Sequence, residues 1–217
     1  MKLPFSIDQF FKVFLDYNLS IWPLQILFYL SALLVIFLSL IKLRASDKII
    51  SLILSFFWIW MGVVYHLVYF TSINKAGWVF GIAFILQGSF FFFFSFISKR
   101  ISFRFNPNIY GITGGLYILY ALVIYPLIGY YQGHVYPASP TFGLPCPTTI
   151  FTFGLLLWTD KKIPILLLGV PFLWAIIGSS AAFSLGVKED IGLLFSAVFF
   201  VFLIVLKNKK LRNSKNV

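Results

Sequence analysis

The chain has 217 residues, of which 60% are hydrophobic, 21% aromatic and 11% charged, and its mean hydropathy is +0.96. Soluble domains carry about a quarter of their residues as charged side chains, so the composition excludes an ordinary soluble domain and reads as an integral membrane protein. The formal charge of +11 does not point to nucleic acid, because the basic residues stand in short clusters between apolar runs of about 20 residues, the length that crosses a hydrocarbon core.

The first residues, "MKLPFSIDQFF", contain no run of positive charge, no compact apolar core and no small-residue cleavage site, so no removable signal peptide is expected. Ile7, Phe10, Phe11, Phe14 and Leu15 recur at the spacing of one helical face, while Asp8, Lys12 and Asp16 point elsewhere. This pattern predicts an interfacial amphipathic helix within residues 1–20, lying on the outer leaflet without crossing it. Ser6 with Gln9 three residues later matches a capping box that starts this helix.

Apolar segments follow at about 21–42, 49–70, 77–98, 111–131, 141–159, 164–186 and 190–207, which predicts an all-α polytopic membrane protein: a bundle of seven transmembrane helices in one domain. Sorting the basic residues between segments fixes a direction. Lys42, Arg44, Lys48, Lys99, Arg100, Arg104, Lys161, Lys162 and the tail residues Lys207, Lys209, Lys210, Arg212 and Lys215 fall on one side, and Lys2, Lys12, Lys75 and Lys188 on the other. Short cytoplasmic loops carry the excess of Lys and Arg, so the N-terminus is expected outside and residues 208–217 form a basic cytoplasmic tail. Trp22, Trp78 and Trp158 near the span ends fit interfacial aromatic belts, whereas Trp58, Trp60 and Trp174 fall deeper and are expected to pack between helices.

Small residues indicate close helix approach at Gly111 and Gly115 in the fourth span and at Gly178 and Ala182 in the sixth. The run "FFFFF" at 90–94 reads as lipid-facing and packing bulk. No Asp, Glu, Lys or Arg falls near the middle of a span, which counts against a proton-coupled pump. The polar side chains that remain collect on one side. Tyr65 and His66 end the outward-running second span, the loop from span four to five brings His134, Cys146, Thr148 and Thr149, span six ends near Ser179 and Ser180, and Glu189 and Asp190 open span seven.

The segment "HVYPASPTFGLPCPTTIFTFG" breaks the fifth span. Pro137, Pro140, Pro145 and Pro147 deny helix continuity, so the helix is expected to start near Pro147 with Cys146 at or beside the N-cap. From Thr148 to Trp158 is about 16 Å of helix, well short of a core of roughly 30 Å. Residues 139–147 must then descend as non-helical chain, which is tolerated only where protein or water covers it. A half-helix N-terminus with free N–H groups would open into an external polar pocket. Cys146 is the only cysteine, which excludes an internal disulfide. Three roles stay open for it: a packed structural thiol, a soft-metal or ligand contact with His66 and His134, and a nucleophilic or redox centre. The spacing matches no metal motif, and no cofactor is indicated.

Across nearly the whole length, "LPFSIDQFF", "YNLSIWPLQ", "WMGVVYH", "YPLIGYYQGHVYPASPTFGLPCPTTIFTFG", "LWAIIGSSAAF" and "EDIGLL" resemble a bacterial family of uncharacterised multi-spanning membrane proteins, one of the domains of unknown function. The resemblance implies a bacterial inner-membrane protein and transfers no catalytic residue. A microbial rhodopsin is excluded, since "IGLLFSAVFFVFLIVL" has no lysine for a retinal Schiff base. The expected partners are the bilayer and a small-molecule or ion ligand. A small transporter or ligand-binding protein leads, followed by a membrane enzyme or thiol-redox protein using Cys146, and then a structural or assembly subunit.

Reporter fusions after residues 46, 102 and 162 are expected to be cytoplasmic and a fusion after residue 134 external; the reversed pattern would overturn the orientation.

Overall fold

The computed structural model describes residues 4–213, with side chains described as far as Lys209; Lys2 and Lys215 of the charge tally lie outside the described residues, as does the end of the basic tail. Among the described residues there are eight helices: α1 (Ile7–Ser20), α2 (Leu24–Ile41), α3 (Ser46–Ser72), α4 (Gly77–Ile97), α5 (Ile109–Tyr131), α6 (Pro145–Leu157), α7 (Leu166–Leu185) and α8 (Ile191–Asn213), the last entered through a 3₁₀ turn at Lys188–Asp190. Six of them, α2 to α5, α7 and α8, are long and apolar enough to cross a membrane, and α6, with 13 residues, is not. The described residues contain no strand, only isolated β-bridges such as Phe103 with Thr159.

These pairings give the bundle two chemically different ends. At the basic end Lys42, left-handed at φ 48° after α2, donates to Asp47 Oδ1 at 2.6 Å, Ser102 Oγ at 2.8 Å and the Phe103 carbonyl at 2.9 Å. Asp47 Oδ1 also accepts the Phe103 N–H at 2.7 Å, so one ion pair ties the α2–α3 turn to the segment before α5. The opposite end gathers α1, the α3–α4 turn, residues 132–144 and the α7–α8 turn.

Helix α6 is the centre of the packing. Every residue in it except Cys146 is buried, which suits a helix apolar all round, with hydroxyls only at Thr148, Thr149 and Thr152. Those hydroxyls are used internally. Thr149 donates to the Pro145 carbonyl, and Thr152 donates to the Thr148 carbonyl while accepting the Trp58 Nε1–H at 3.2 Å. At the far end Lys207, 7% exposed, donates to the carbonyls of Leu157 and Thr159, placing a cation where the helix leaves its last carbonyls free. Trp158 is buried, its Nε1–H bonded to the Gly111 carbonyl at 2.8 Å, and does not sit in an interfacial belt, whereas Trp22 and Trp78 are each 58% exposed.

The close helix approaches differ from those expected. A side chain on Gly114 would meet the Gly154 carbonyl oxygen at 2.6 Å, and one on Gly154 would meet that of Gly114 at 2.7 Å, so this reciprocal pair lets α5 touch α6. Gly115 has only Trp158 at 3.8 Å, and Gly111 lies against its own preceding segment. Between α3 and α4 the same role falls to Gly62 and Gly81, and to Gly88 against the Ser55 carbonyl at 2.6 Å. Gly178 does lie at a helix contact, beside Leu193 and Trp174. In the phenylalanine run, Phe91 and Phe94 are buried and Phe92 and Phe93 face outward.

Helix α1 begins as expected, with the Ser6 and Gln9 side chains capping reciprocally. Its packed face is rotated from the predicted one. Ile7 is 50% exposed, while Val13, Phe14, Tyr17 and Asn18 are buried against the bundle, and Tyr17 accepts the Trp60 Nε1–H at 3.0 Å. Helices α3, α4 and α5 each contain a wider π turn, at Met61–Tyr69, Phe93–Ile97 and Tyr120–Ile124.

Gly154→Ala is expected to lower thermal stability in detergent by about 1–3 kcal/mol through overpacking, with Gly115→Ala nearly silent. Equal tolerance at the two positions, in thermal unfolding scans, would refute the Gly114–Gly154 contact.

Candidate functional site

Because α6 is short, space is left beyond its first turn at the α1 end. Residues 132–144 are irregular there, with Gly133 and Gly143 at φ +86° and +100° where a side chain would be strained. The loop is held by Asn18 at the end of α1. Its Nδ2 donates to the carbonyls of Pro137 at 2.7 Å and Ser139 at 2.8 Å, and its Oδ1 accepts the Thr141 hydroxyl at 2.9 Å. Thr148 Oγ1 accepts the Gly143 N–H at 3.2 Å.

A cavity of about 210 Å³ lies over this turn, many times the space one water needs. Pro145, Cys146 and Pro147 line one side, and α1 and the segment leading into it contribute Phe5, Phe10 and Phe14. Tyr65 and Phe70 of α3, Phe80 of α4, Tyr125 of α5, residues from Trp174 to Ser184 on one face of α7, and Asp190 also line it, so the lining is chiefly aromatic and aliphatic, with few polar groups such as Asn74 and Ser180.

Asp190 is 5% exposed and its Oδ1 accepts the Tyr125 hydroxyl at 2.6 Å. Cys146, Asp190, Trp174 and Tyr65 share the lining of this cavity. Cys146 keeps accessible surface at the cavity. The neighbouring Glu189 is fully buried, its Oε1 2.8 Å from His134 Nδ1, while Oε2 has no partner among the described residues. Tyr120 donates to the Glu189 carbonyl at 2.7 Å. Two adjacent acidic side chains are thus held in the interior, and the one imidazole nearby is bonded to Glu189.

The structure separates the other residues singled out from sequence. His66 does not reach the cavity. Its ring is fully buried among Tyr65, Phe70, Phe80, Phe84 and Trp174, with centroids 4.5–5.9 Å away, and neither ring nitrogen has a partner among the described residues. With His134 on Glu189 and His66 walled in by rings, Cys146 is not joined to an imidazole, and no group of three metal-ligating side chains occurs among the described residues. Thr148 and Thr149 serve the backbone near Pro145, as above. Ser180 lines the cavity and donates to the Ile177 carbonyl; Ser179 is buried with its hydroxyl unpaired among the described residues.

The start of α6 also differs from expectation. The helix begins at Pro145, two residues early, and its N-cap is Leu144, whose N–H bonds to the Thr141 carbonyl. Proline at 145 and 147 removes two donors, so Cys146 carries the one first-turn N–H without a backbone partner. The half-helix therefore offers far less of an anion-attracting terminus than a free helix start would. Sequence reasoning passed over Tyr125 and Trp174. The signal for Tyr125 was its place before Pro126 at the end of an apolar span, and Trp174 was read as packing.

Residues 7–215 match the Family of unknown function (DUF6064), and the chain belongs to that family. No curated protein and no solved structure matches the chain.

His134→Ala is expected to destabilise the protein by about 1–3 kcal/mol, because it leaves a buried carboxylate without its hydrogen bond. Adding Glu189→Gln should recover part of that loss in thermal unfolding; strictly additive losses would show that the two side chains act independently.

Proposed function

We propose that this chain is a seven-crossing protein of a bacterial inner membrane that binds a small molecule in the α1-end cavity, with that end facing outside. In this reading the coil 132–144 and α6 together make the fifth crossing as a half-helix, and α1 lies at the external interface over the cavity. Support comes from the length of α6, about 20 Å at 1.5 Å per residue against a core of roughly 30 Å, and from the basic clusters gathered at the opposite end.

The observation that carries the binding role is a cavity in which Asp190, Tyr125, Cys146 and Trp174 converge on otherwise apolar walls, the usual make-up of a small-molecule site. Tyr65, Cys146, Ser180 and Asp190 are the lining residues of this site that the sequence singles out. Glu189 and His134 position the α7–α8 turn, Thr148 and Thr149 shape the floor, and His66 and Ser179 stand behind the wall. Binding is favoured over permeation because the hydroxyls of Thr149 and Thr152 on α6 are spent on backbone carbonyls, which leaves them no free donor toward the basic end. A thiol enzyme is less well supported, since neither histidine adjoins Cys146.

Cys146 is the only cysteine, so the unaltered protein reports on its own cavity. A small membrane-impermeant methanethiosulfonate added outside should modify it, and Ala181→Phe, which places a ring in the lining, should slow that reaction strongly. Modification only from the cytoplasmic side, or at an unchanged rate in Ala181→Phe, would overturn the external binding site.

A further inference from the structure

One carboxyl group at this site lacks a cationic partner. Among the described residues, Asp190 has no lysine, arginine or histidine partner, and its one strong contact is a neutral hydroxyl. Glu189 beside it has only His134, whose ring carries charge only when protonated, and one oxygen left over. Interior carboxylates are ordinarily paired, because an uncompensated charge away from water is costly. The surrounding surface narrows down which ligand could pair with the Asp190 carboxyl.

A hard metal ion needs about six to eight oxygen ligands. The cavity offers one carboxylate and a few hydroxyl and amide groups, with Tyr125 already donating its proton to Asp190 and Ser180 donating to its own helix. What it offers in abundance is aromatic lining. Phe14 stacks on Tyr65 at 6.2 Å, Tyr65 on Phe70 at 6.0 Å, and Trp174 adjoins the thiol next to Asp190. A carboxylate in a cavity lined by Trp, Tyr and Phe side chains is the setting that attracts an alkylated ammonium, whose charge is diffuse and whose methyl groups need no hydrogen bonds. The volume of about 210 Å³ lies below the range of drug-sized pockets, so the occupant is small.

We propose that the ligand of this cavity is a small organic cation of the quaternary or tertiary ammonium class, held with its charge against the Asp190 carboxylate and its alkyl groups against Tyr65, Phe14 and Trp174. This assignment rests on the cavity being an externally open binding site. Helix α1 supplies Phe14 directly and fixes the 136–141 loop through Asn18, so its seating on the bundle closes the cage. The Cys146 thiol sits at the wall as a spectator.

The test uses the full-length protein in nanodiscs with two probes of nearly the same shape: choline and its uncharged isostere 3,3-dimethyl-1-butanol. Choline is expected to bind, by calorimetry, on the order of 30-fold more tightly than the alcohol, the ratio that about 2 kcal/mol of desolvated cation–π attraction supplies, and to protect Cys146 from the methanethiosulfonate. Asp190→Asn should abolish the preference for the charged probe. Should that variant fail to fold, Trp174→Leu, which keeps the carboxylate, should weaken choline by about tenfold and the alcohol far less. Equal binding of both probes, binding of neither, unchanged selectivity in the variants, or equal protection by sodium or calcium chloride would each overturn the organic-cation assignment. The externally open site is judged separately: it stands or falls with the side from which Cys146 is modified and with the effect of Ala181→Phe on that rate.

Discussion

A 13-residue helix buried on every side, with coil instead of helix continuing from one end, is the constraint on which the rest of this structure depends. Its backbone groups cannot turn to water, so each must find a partner inside the protein. At the Pro145 end the solution is partly subtractive, since two prolines remove donors that would otherwise go unpaired, and the Leu144 N–H is taken up locally by Thr141. The coil beyond is satisfied by Asn18, one amide making three bonds to residues more than a hundred positions away in sequence. At the other end a buried lysine from α8 takes the last carbonyls. Remove either support, and polar backbone is stranded in an apolar interior.

The cavity follows from the same geometry. A helix that stops early leaves a space that the surrounding longer helices cannot fill, and the groups bordering it come from α1, the outer parts of α3, α4, α5 and α7, and the turn before α8. The π turns bear on which groups these are. Met61–Tyr69 contains Tyr65 and His66, and Tyr120–Ile124 ends just before Tyr125, so wider turns precede or include both tyrosines of the site. Such turns rotate the following residues relative to a regular helix and recur at functional positions. Here they send adjacent residues different ways: Tyr65 lines the cavity and His66 is enclosed by rings.

That rotation explains where the sequence was legible and where it was not. The limits of the long helices follow from hydropathy within a few residues, and the capping box at Ser6 follows from local spacing, because each depends only on nearby chemistry. The shortness of α6 was legible from proline positions. Which glycines touch was not: Gly114 and Gly154 meet because of how α5 and α6 turn about their axes, and helices apolar on nearly every side give no periodic signal of which face is inward. The packed face of α1 was misjudged for a related reason. An interfacial helix is read by its most apolar residues, whereas this one buries Tyr17 and Asn18 because each has a specific polar partner in the bundle. The histidines and the cysteine drew attention as reactive residue types, yet the structure distributes them among three separate environments.

The two ends of the bundle handle buried charge in opposite ways, and the contrast bears on mechanism. At the basic end each buried or half-buried charge is matched within the chain: Lys42 by Asp47 and the surrounding carbonyls, Lys207 by the carbonyls that end α6. Such closure fixes geometry and leaves nothing for a ligand to complete. At the α1 end Asp190 accepts a tyrosine hydroxyl, with the cavity directly beside it. The contrast between a lysine satisfied within the chain at one end and a carboxyl group beside a cavity at the other is what the proposed binding role at the α1 end builds on.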